Sequence, residues 1–405
     1  MTTSLKELTF QDLLRPELQV DPYPLFRRLR CEDPVHEDPS GAGWMVTRYD
    51  DIASVLSDPR FSAARLLPRD KGESTTNPVQ AALARQMLFL DPPDHTRLRK
   101  LFAKAFSPGR LEHLRPQILQ LTTELLDRAE DAGGRIDYMR DFAGPLPVTV
   151  IAQMLGMPAV DRPRLRDWSA SFGRLINGRI RSDEETAEAQ QGILAFIDYF
   201  SQLIEERRRR PQNDMLSDLI AVEETGDRLN TEELIMNLIL LLAAGHGTTT
   251  HLLGNGLFAL LRHPDQWKLL IEDPAIAPAA VNELLRFDAP VQATSREALE
   301  DVPLGNKVIV KGQRVRVLLG SANRDDAHFN DPDTLDLKRS GARIISFGHG
   351  IHTCLGAALA RLEAQVALPE LARRFPRARV LAEAPERTLS VSFRGFQSLP
   401  ASLFS

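Results

Sequence analysis

Residues 230–262 read NTEELIMNLILLLAAGHGTTTHLLGNGLFALLR. Asn230 followed three residues later by Glu233 is an N-cap with its reciprocal partner, and His263-Pro264 stops the pattern at the far end. The stretch between them predicts one helix. At 1.5 Å per residue it would span roughly 50 Å, comparable with the diameter expected of a compact chain of this size. Its segment Leu234–Ala244 is apolar on nearly every face, which fits full burial rather than an amphipathic surface helix. The same stretch carries Asn237 and falls well short of the ~20 apolar residues that a spanning helix needs. A single domain over residues 1–405, built around this helix, is therefore expected in preference to two ordinary domains.

The rest of the chain supports a large buried core. Of 405 residues, 43% are hydrophobic and 26% charged, and the 27 prolines are dispersed, so disordered and collagen-like classes are excluded. Fifty Lys and Arg against 55 Asp and Glu give a net charge of −5, without the positive excess that nucleic-acid backbones require. Residues 1–14 carry charges and no apolar signal core, so a cytoplasmic location with no membrane partner is expected. Two cysteines, Cys31 and Cys354, are too few for a disulfide framework or a cysteine-based zinc site.

Helical periodicity dominates from residue 92 to 262, over 96–105, 111–132, 147–155, 164–176, 184–210 and 216–222, with a further helix over 277–287. The run Arg207–Arg210 lies at a helix end, where positive charge suits the dipole, so a ligand patch is not required. Strand patterns are sparse: 43–49, then 302–310 and 313–319 around turns at Gly305-Asn306 and Gly312, and a β-like stretch near 389–393. Residues 61–86 show no clear period and read as a long loop. The class is mainly α, with a minor β component (α+β).

The chemistry concentrates in Phe347-Gly348-His349-Gly350-Ile351-His352-Thr353-Cys354-Leu355-Gly356. The glycines let backbone fold tightly round a sulfur, and a helix predicted over 354–368 would favour thiolate over thiol at its start. A thiolate there serves as a metal ligand or a nucleophile. The alternatives are a buried structural cysteine, or zinc held by His349, His352 and Cys354 with a fourth ligand from elsewhere.

This stretch resembles the haem-ligand signature of the cytochrome P450 superfamily, in which Phe, Gly, Arg or His, Cys and Gly recur at the spacing of Phe347, Gly350, His352, Cys354 and Gly356. Three more motifs match in the family's order, so the resemblance covers essentially the whole chain. It implies the P450 fold with haem b (iron protoporphyrin IX), Cys354 as the axial thiolate, and His352 reaching a propionate. Phe347, Gly348, Gly356 and Ala244 would lie against the cofactor.

Glu283 and Arg286, at i and i+3, match the family's Glu-x-x-Arg pair; alone they would be a weak solvated ion pair, whereas the family makes them a buried structural network. Where some members place an Arg that completes it, this chain has Thr334, leaving Arg339 as a substitute. His95 and Arg99 share a helix face and, with Arg296, match the family's cationic partners for the two propionates.

Within Ala244-Gly245-His246-Gly247-Thr248-Thr249 the family places an acid and an alcohol that deliver protons during dioxygen activation. Thr248 fits the alcohol, but Gly247 stands where the acid belongs, and glycine relays no proton. Water, His246, Thr249 or a substrate group would substitute. The two helix glycines, each costing about 1 kcal/mol relative to Ala, point to distortion or close ligand approach, unless packing requires them.

The resemblance thus implies a monooxygenase that inserts one oxygen atom from O2 into a bulky lipophilic substrate, in secondary metabolism. Electrons would come from a ferredoxin with its reductase, or from a flavodoxin. Arg99, Lys100, Lys104, Arg339 and Arg343 would offer a docking face or merely a solvated surface. A monomer is the default. Substrate-pocket stretches would be 61–86, 172–184, 243–248, 291–294 and 396–398. Gly247 keeps peroxide-driven oxidation, nitric oxide reduction and redox-neutral rearrangement open, beside a non-catalytic ligand carrier and the zinc enzyme.

Overall fold

The computed structural model describes residues 4–64, 78–176, 182–224, 229–341 and 343–404. These residues form two compact units. The first comprises residues 4–62, 114–144 and 248–404, and the second residues 63–113 and 145–247, within the described ranges.

The predicted long helix is present as Thr231–Arg262, its first part belonging to the second unit and its residues from Thr248 onward to the first. Both halves of the capping box form: the Glu233 amide donates to Asn230 Oδ1 at 2.8 Å, and the Asn230 amide donates to Glu233 Oε2 at 3.2 Å. Leu234, Leu238, Ile239 and Leu242 are fully buried. Asn237, the polar exception, accepts from the Met87 amide at 2.9 Å and donates to the Glu233 carbonyl at 2.8 Å. No described helix is long and apolar enough to cross a membrane.

In the second unit, helices Asp94–Ala103, Pro145–Met154, Arg162–Ile176, Asp183–Arg209 and Met215–Glu224 follow the predicted periods closely. Arg207 is more than a dipole complement. It is buried, donates to Asp214 at 2.8 Å, and reaches the Gly156 carbonyl at 2.5 Å. Residues 61–86 are not a continuous loop: Phe61–Ser62 is a strand of the first unit, Pro78–Leu83 is a helix, and 65–77 lie outside the described residues. A two-residue strand is too short to register as a sequence period.

The first unit carries a five-stranded sheet, ordered Val35–Asp38, Gly43–Val46, Arg314–Val317, Thr294–Ala298, Phe61–Ser62, in which Gly43–Val46 and Arg314–Val317 are parallel. The segment predicted over 313–319 is therefore a middle strand of that sheet and not a partner of 302–310. That partner role is taken within a hairpin, Val302–Leu304 with Lys307–Ile309, turning at Gly305 (φ 58°). The stretch near 389–393 makes only an isolated bridge, Val291 to Phe393, and the terminal strand is Pro400–Ser402.

The pattern over 111–132 resolves into Pro108–Glu112, of the second unit, and Arg115–Asp131, of the first, which starts with Pro116 in its first turn. Ala277–Phe287 forms as predicted. The helix after Cys354 runs Ala357–Arg374, later at both ends than predicted. Pro369 does not end it, because Leu368, Leu371 and Ala372 are buried and hold the next turn in place.

Candidate haem-thiolate site

Backbone hydrogen bonds hold the loop around Cys354. Its amide donates to the Phe347 carbonyl at 2.8 Å, while the Thr353 hydroxyl closes the turn on the Gly350 carbonyl at 2.7 Å. Gly350 has φ 71°, and a Cβ there would fall 2.5 Å from the Leu56 carbonyl oxygen, so only glycine fits. Gly348 also needs its left-handed φ of 75°. The thiol is exposed, three residues ahead of the helix Ala357–Arg374, whose positive end faces back along the chain toward it.

Arg361, which sequence reasoning missed, completes this unit's cysteine region. Its guanidinium stacks over Phe347, 4.4 Å from the ring centroid, and donates to Asn282 at 2.8 Å. Burial pushes its pKa down, and the nearby Cys354 sulfur opposes that shift. Seven residues from Cys354, on the helix that follows it, is the sequence signal that could have found it.

Also in the first unit, Arg296 is buried in the strand Thr294–Ala298 and donates to the Ser295 carbonyl at 2.9 Å; His352 lies in the short turn Gly350–His352; and Thr248 is half-buried. A Cβ on Gly356 would meet nothing within 4 Å. In the second unit, His95 is buried and Arg99 half-buried on the helix Asp94–Ala103, and Ala244 is exposed. Gly245 and Gly247 sit in unbroken helix; a Cβ would come no nearer than 3.6 Å to Ile151 at 245 and would meet nothing within 4 Å at 247. Packing therefore requires neither glycine.

The Glu283–Arg286 pair is buried and bidentate, with Arg286 Nε and Nη2 2.7 and 2.8 Å from the two carboxylate oxygens. Arg286 also donates to the carbonyls of Asn323, Pro332 and Thr334 at 3.0, 2.7 and 3.0 Å. Arg339 takes the third place in this network.

These residues suit a group held through one axial thiolate. The Cys354 thiol is exposed at the end of a glycine-bearing loop, and no group of three or more His, Cys, Asp or Glu gathers for a metal among the described residues. The zinc reading loses its ligands on that geometry.

The comparisons with known proteins agree with this fold. The cytochrome P450 family model matches residues 44–388, and the chain belongs to that family. Cytochrome P450 CYP107DY1 of Priestia megaterium is 38% identical, the match covering 98% of this chain and 99% of that protein. Cytochrome P450 monooxygenase PikC of Streptomyces venezuelae is 42% identical, covering 90% and 86%. A structure of P450BioI in complex with hexadec-9Z-enoic acid ligated acyl carrier protein superposes with a TM-score of 0.90 at 37% identity, covering 96% of this chain and 100% of that one. The protein is thus a haem-dependent cytochrome P450 oxidoreductase of the monooxygenase type.

Proposed function

We propose that this single-domain enzyme inserts one oxygen atom from O2 into a bulky lipophilic substrate of secondary metabolism, with Cys354 as the axial ligand of its haem. The observation that carries this reading is the cysteine loop, where the amide of Cys354 is tied to Phe347 and Gly350 admits no side chain, leaving the thiol exposed. When bound, haem supplies dioxygen activation and oxygen transfer. His352 and Arg296 of the first unit, and His95 and Arg99 of the second, are assigned to the two propionates, whose burial demands cationic partners. Phe347, Gly348, Gly356 and Ala244 are assigned to the faces of the macrocycle. Thr248 holds and passes a proton on the distal side.

A ferredoxin with its reductase, or a flavodoxin, supplies the electrons to a monomer in the cytoplasm. The fatty acyl chain in the P450BioI complex supports a lipophilic substrate class. A second reading, peroxide-driven, nitric-oxide-reducing or rearrangement chemistry on the same haem, is favoured by Gly247 alone.

The test is an optical titration of the ferric holoprotein with macrolides, terpenoids, steroids, fatty acids and aromatic compounds. One class is expected to shift the spectrum from low to high spin. Haem with no responder in any class would move the assignment to peroxide or nitric oxide.

A further inference from the structure

Three polar residues interrupt the buried C-terminal half of the long helix at one-face spacing: Thr248, His251 and Asn255, at i, i+3 and i+7. Their neighbours Leu252, Leu253, Leu257 and Leu260 are buried and apolar. Polar groups in such a setting cost free energy unless they have something to bond.

Asn255 is accounted for by its hydrogen bonds. Its amide donates to the carbonyls of Asp288 and Arg394 at 3.1 and 3.0 Å, and its Oδ1 accepts from Arg387 at 3.3 Å. It therefore ties the helix to the segment 387–396. His251 sits one turn nearer Thr248 and meets the same segment. A Cβ on Gly395 would fall 1.9 Å from His251 Nδ1 and 2.3 Å from its Cγ. The ring fills the space that any other residue at 395 would need, so the glycine and the imidazole fix one another. The charged groups around this contact are Arg394, paired with Asp288 at 2.6 Å, and Arg387, 3.4 Å from the same carboxylate.

We propose that His251 is the proton-relay residue for Thr248, in place of the acid that the helix lacks at position 247. This rests on the assignment of Thr248 above. Side chains at i and i+3 have Cβ atoms about 5–6 Å apart, a gap that an imidazole and a hydroxyl close directly or through one water. Histidine changes charge near neutral pH, so it can both take up and release a proton under working conditions. In the relay, the imidazolium gives its proton to Thr248 Oγ1 as the Thr248 hydroxyl proton passes to the distal pocket. The neutral imidazole then recovers a proton from water. One proton enters, one leaves, and no electrons move in this step.

The experiment compares wild type with His251→Asn, Thr248→Ala, Gly247→Glu and the Gly247→Glu/His251→Asn double variant, all as holoproteins. Ring NMR of the diamagnetic ferrous carbon monoxide form, with the His251 signal identified by its loss in His251→Asn, reads protonation directly. Product formed per oxygen consumed, with hexadec-9-enoic acid as probe and ferredoxin with its reductase, reads delivery. The His251 ring titrates between pH 5.5 and 8.5, His251→Asn lowers that yield roughly tenfold, and Gly247→Glu recovers most of that loss. A ring whose protonation stays fixed over that range overturns the proposal. So does an unchanged yield, or a loss that Gly247→Glu does not recover, which would mark lost packing on Gly395. If Thr248→Ala also keeps the wild-type yield, the Thr248 assignment fails; if its yield falls while that of His251→Asn does not, only the His251 relay fails.

Discussion

Arg339 Nε lies 3.2 and 3.1 Å from the two carboxylate oxygens of Glu283, so that this buried acid is held by two guanidinium groups, its helix neighbour Arg286 and a residue 56 positions downstream. Arg339 further donates to the carbonyls of Asn330, Asp331 and Thr334 at 2.6, 3.2 and 3.2 Å, fastening the turn before the cysteine loop. Arg286→Ala removes the wholly buried partner and is expected to cost about 3–5 kcal/mol. Arg339→Ala, which leaves Arg286 in place, should cost about 1.5–3 kcal/mol. Denaturant titration of the two variants checks the order, and equal losses would deny Arg286 its leading role.

The cysteine loop offers a paired glycine test. Gly350→Ala forces a Cβ against the Leu56 carbonyl at a left-handed φ, whereas Gly356 has φ −83° and open space for a Cβ. Gly350→Ala should therefore lower the melting temperature of the protein without haem. Gly356→Ala should leave that temperature within a degree or two, because surface-like changes of this kind fall within about 0.5 kcal/mol. If Gly356 lies against the cofactor as assigned, haem affinity is what falls.

Glu363 sits buried on the helix Ala357–Arg374, and its Oε2 has no hydrogen-bond partner among the described residues. Burial raises its pKa well above 4.5, so the folded protein keeps it protonated where the unfolded chain ionises it. A raised acid pKa costs nothing below the unfolded value. Above it, stability falls with rising pH by up to about 1.4 kcal/mol per unit until the folded pKa is reached. Glu363→Gln removes that term. Its melting temperature relative to wild type should therefore rise from pH 5 to pH 8, and a constant difference would contradict a neutral Glu363.

The buried Asp288 behaves in the opposite sense. Burial alone would raise its pKa, but Arg394 and Arg387, with a hydrogen bond from Tyr23 at 2.8 Å, hold it below the ordinary carboxylate range. Burial in turn brings Arg387 down to about 10, against the pull of Asp288. Asp288→Asn should destabilise at neutral pH by leaving two buried guanidinium groups without their anion, and the deficit should shrink as acid pH protonates the wild-type carboxylate. Melting curves at pH 7 and pH 3 check this.

Some of this was legible in the sequence because its causes are local. The capping box at Asn230 and Glu233 fixed one end of the long helix and His263-Pro264 the other. The turn at Gly305-Asn306 announced its hairpin. The five-stranded sheet was hidden, since Trp44 pairs with Val315 and nothing in either short strand encodes that register. Cys354 was legible as a motif, and Arg339 was named only as a substitute for the Arg missing at Thr334. His246 and Thr249 were the side chains weighed against Gly247, whereas His251 emerged only from its fit against Gly395, a contact across the fold.

Gly247→Glu discriminates the two readings of the chemistry. A Cβ at 247 meets nothing within 4 Å, so the acid can be introduced without a clash at its base. A monooxygenase with no relay at all should gain at least threefold in product formed per electron consumed, whereas one in which His251 relays should form product at a similar yield with either residue at 247. Product from neither form, with ferredoxin and its reductase as electron source, would favour the peroxide, nitric oxide or rearrangement route.

The claim on which the rest depends is that Cys354 ligates the haem iron, and the visible and paramagnetic resonance spectra of the ferric holoprotein test it against Cys354→Ser. The wild type should show thiolate ligation, and the variant should lose that signature while the protein remains folded by circular dichroism. An unchanged spectrum in Cys354→Ser would contradict the account.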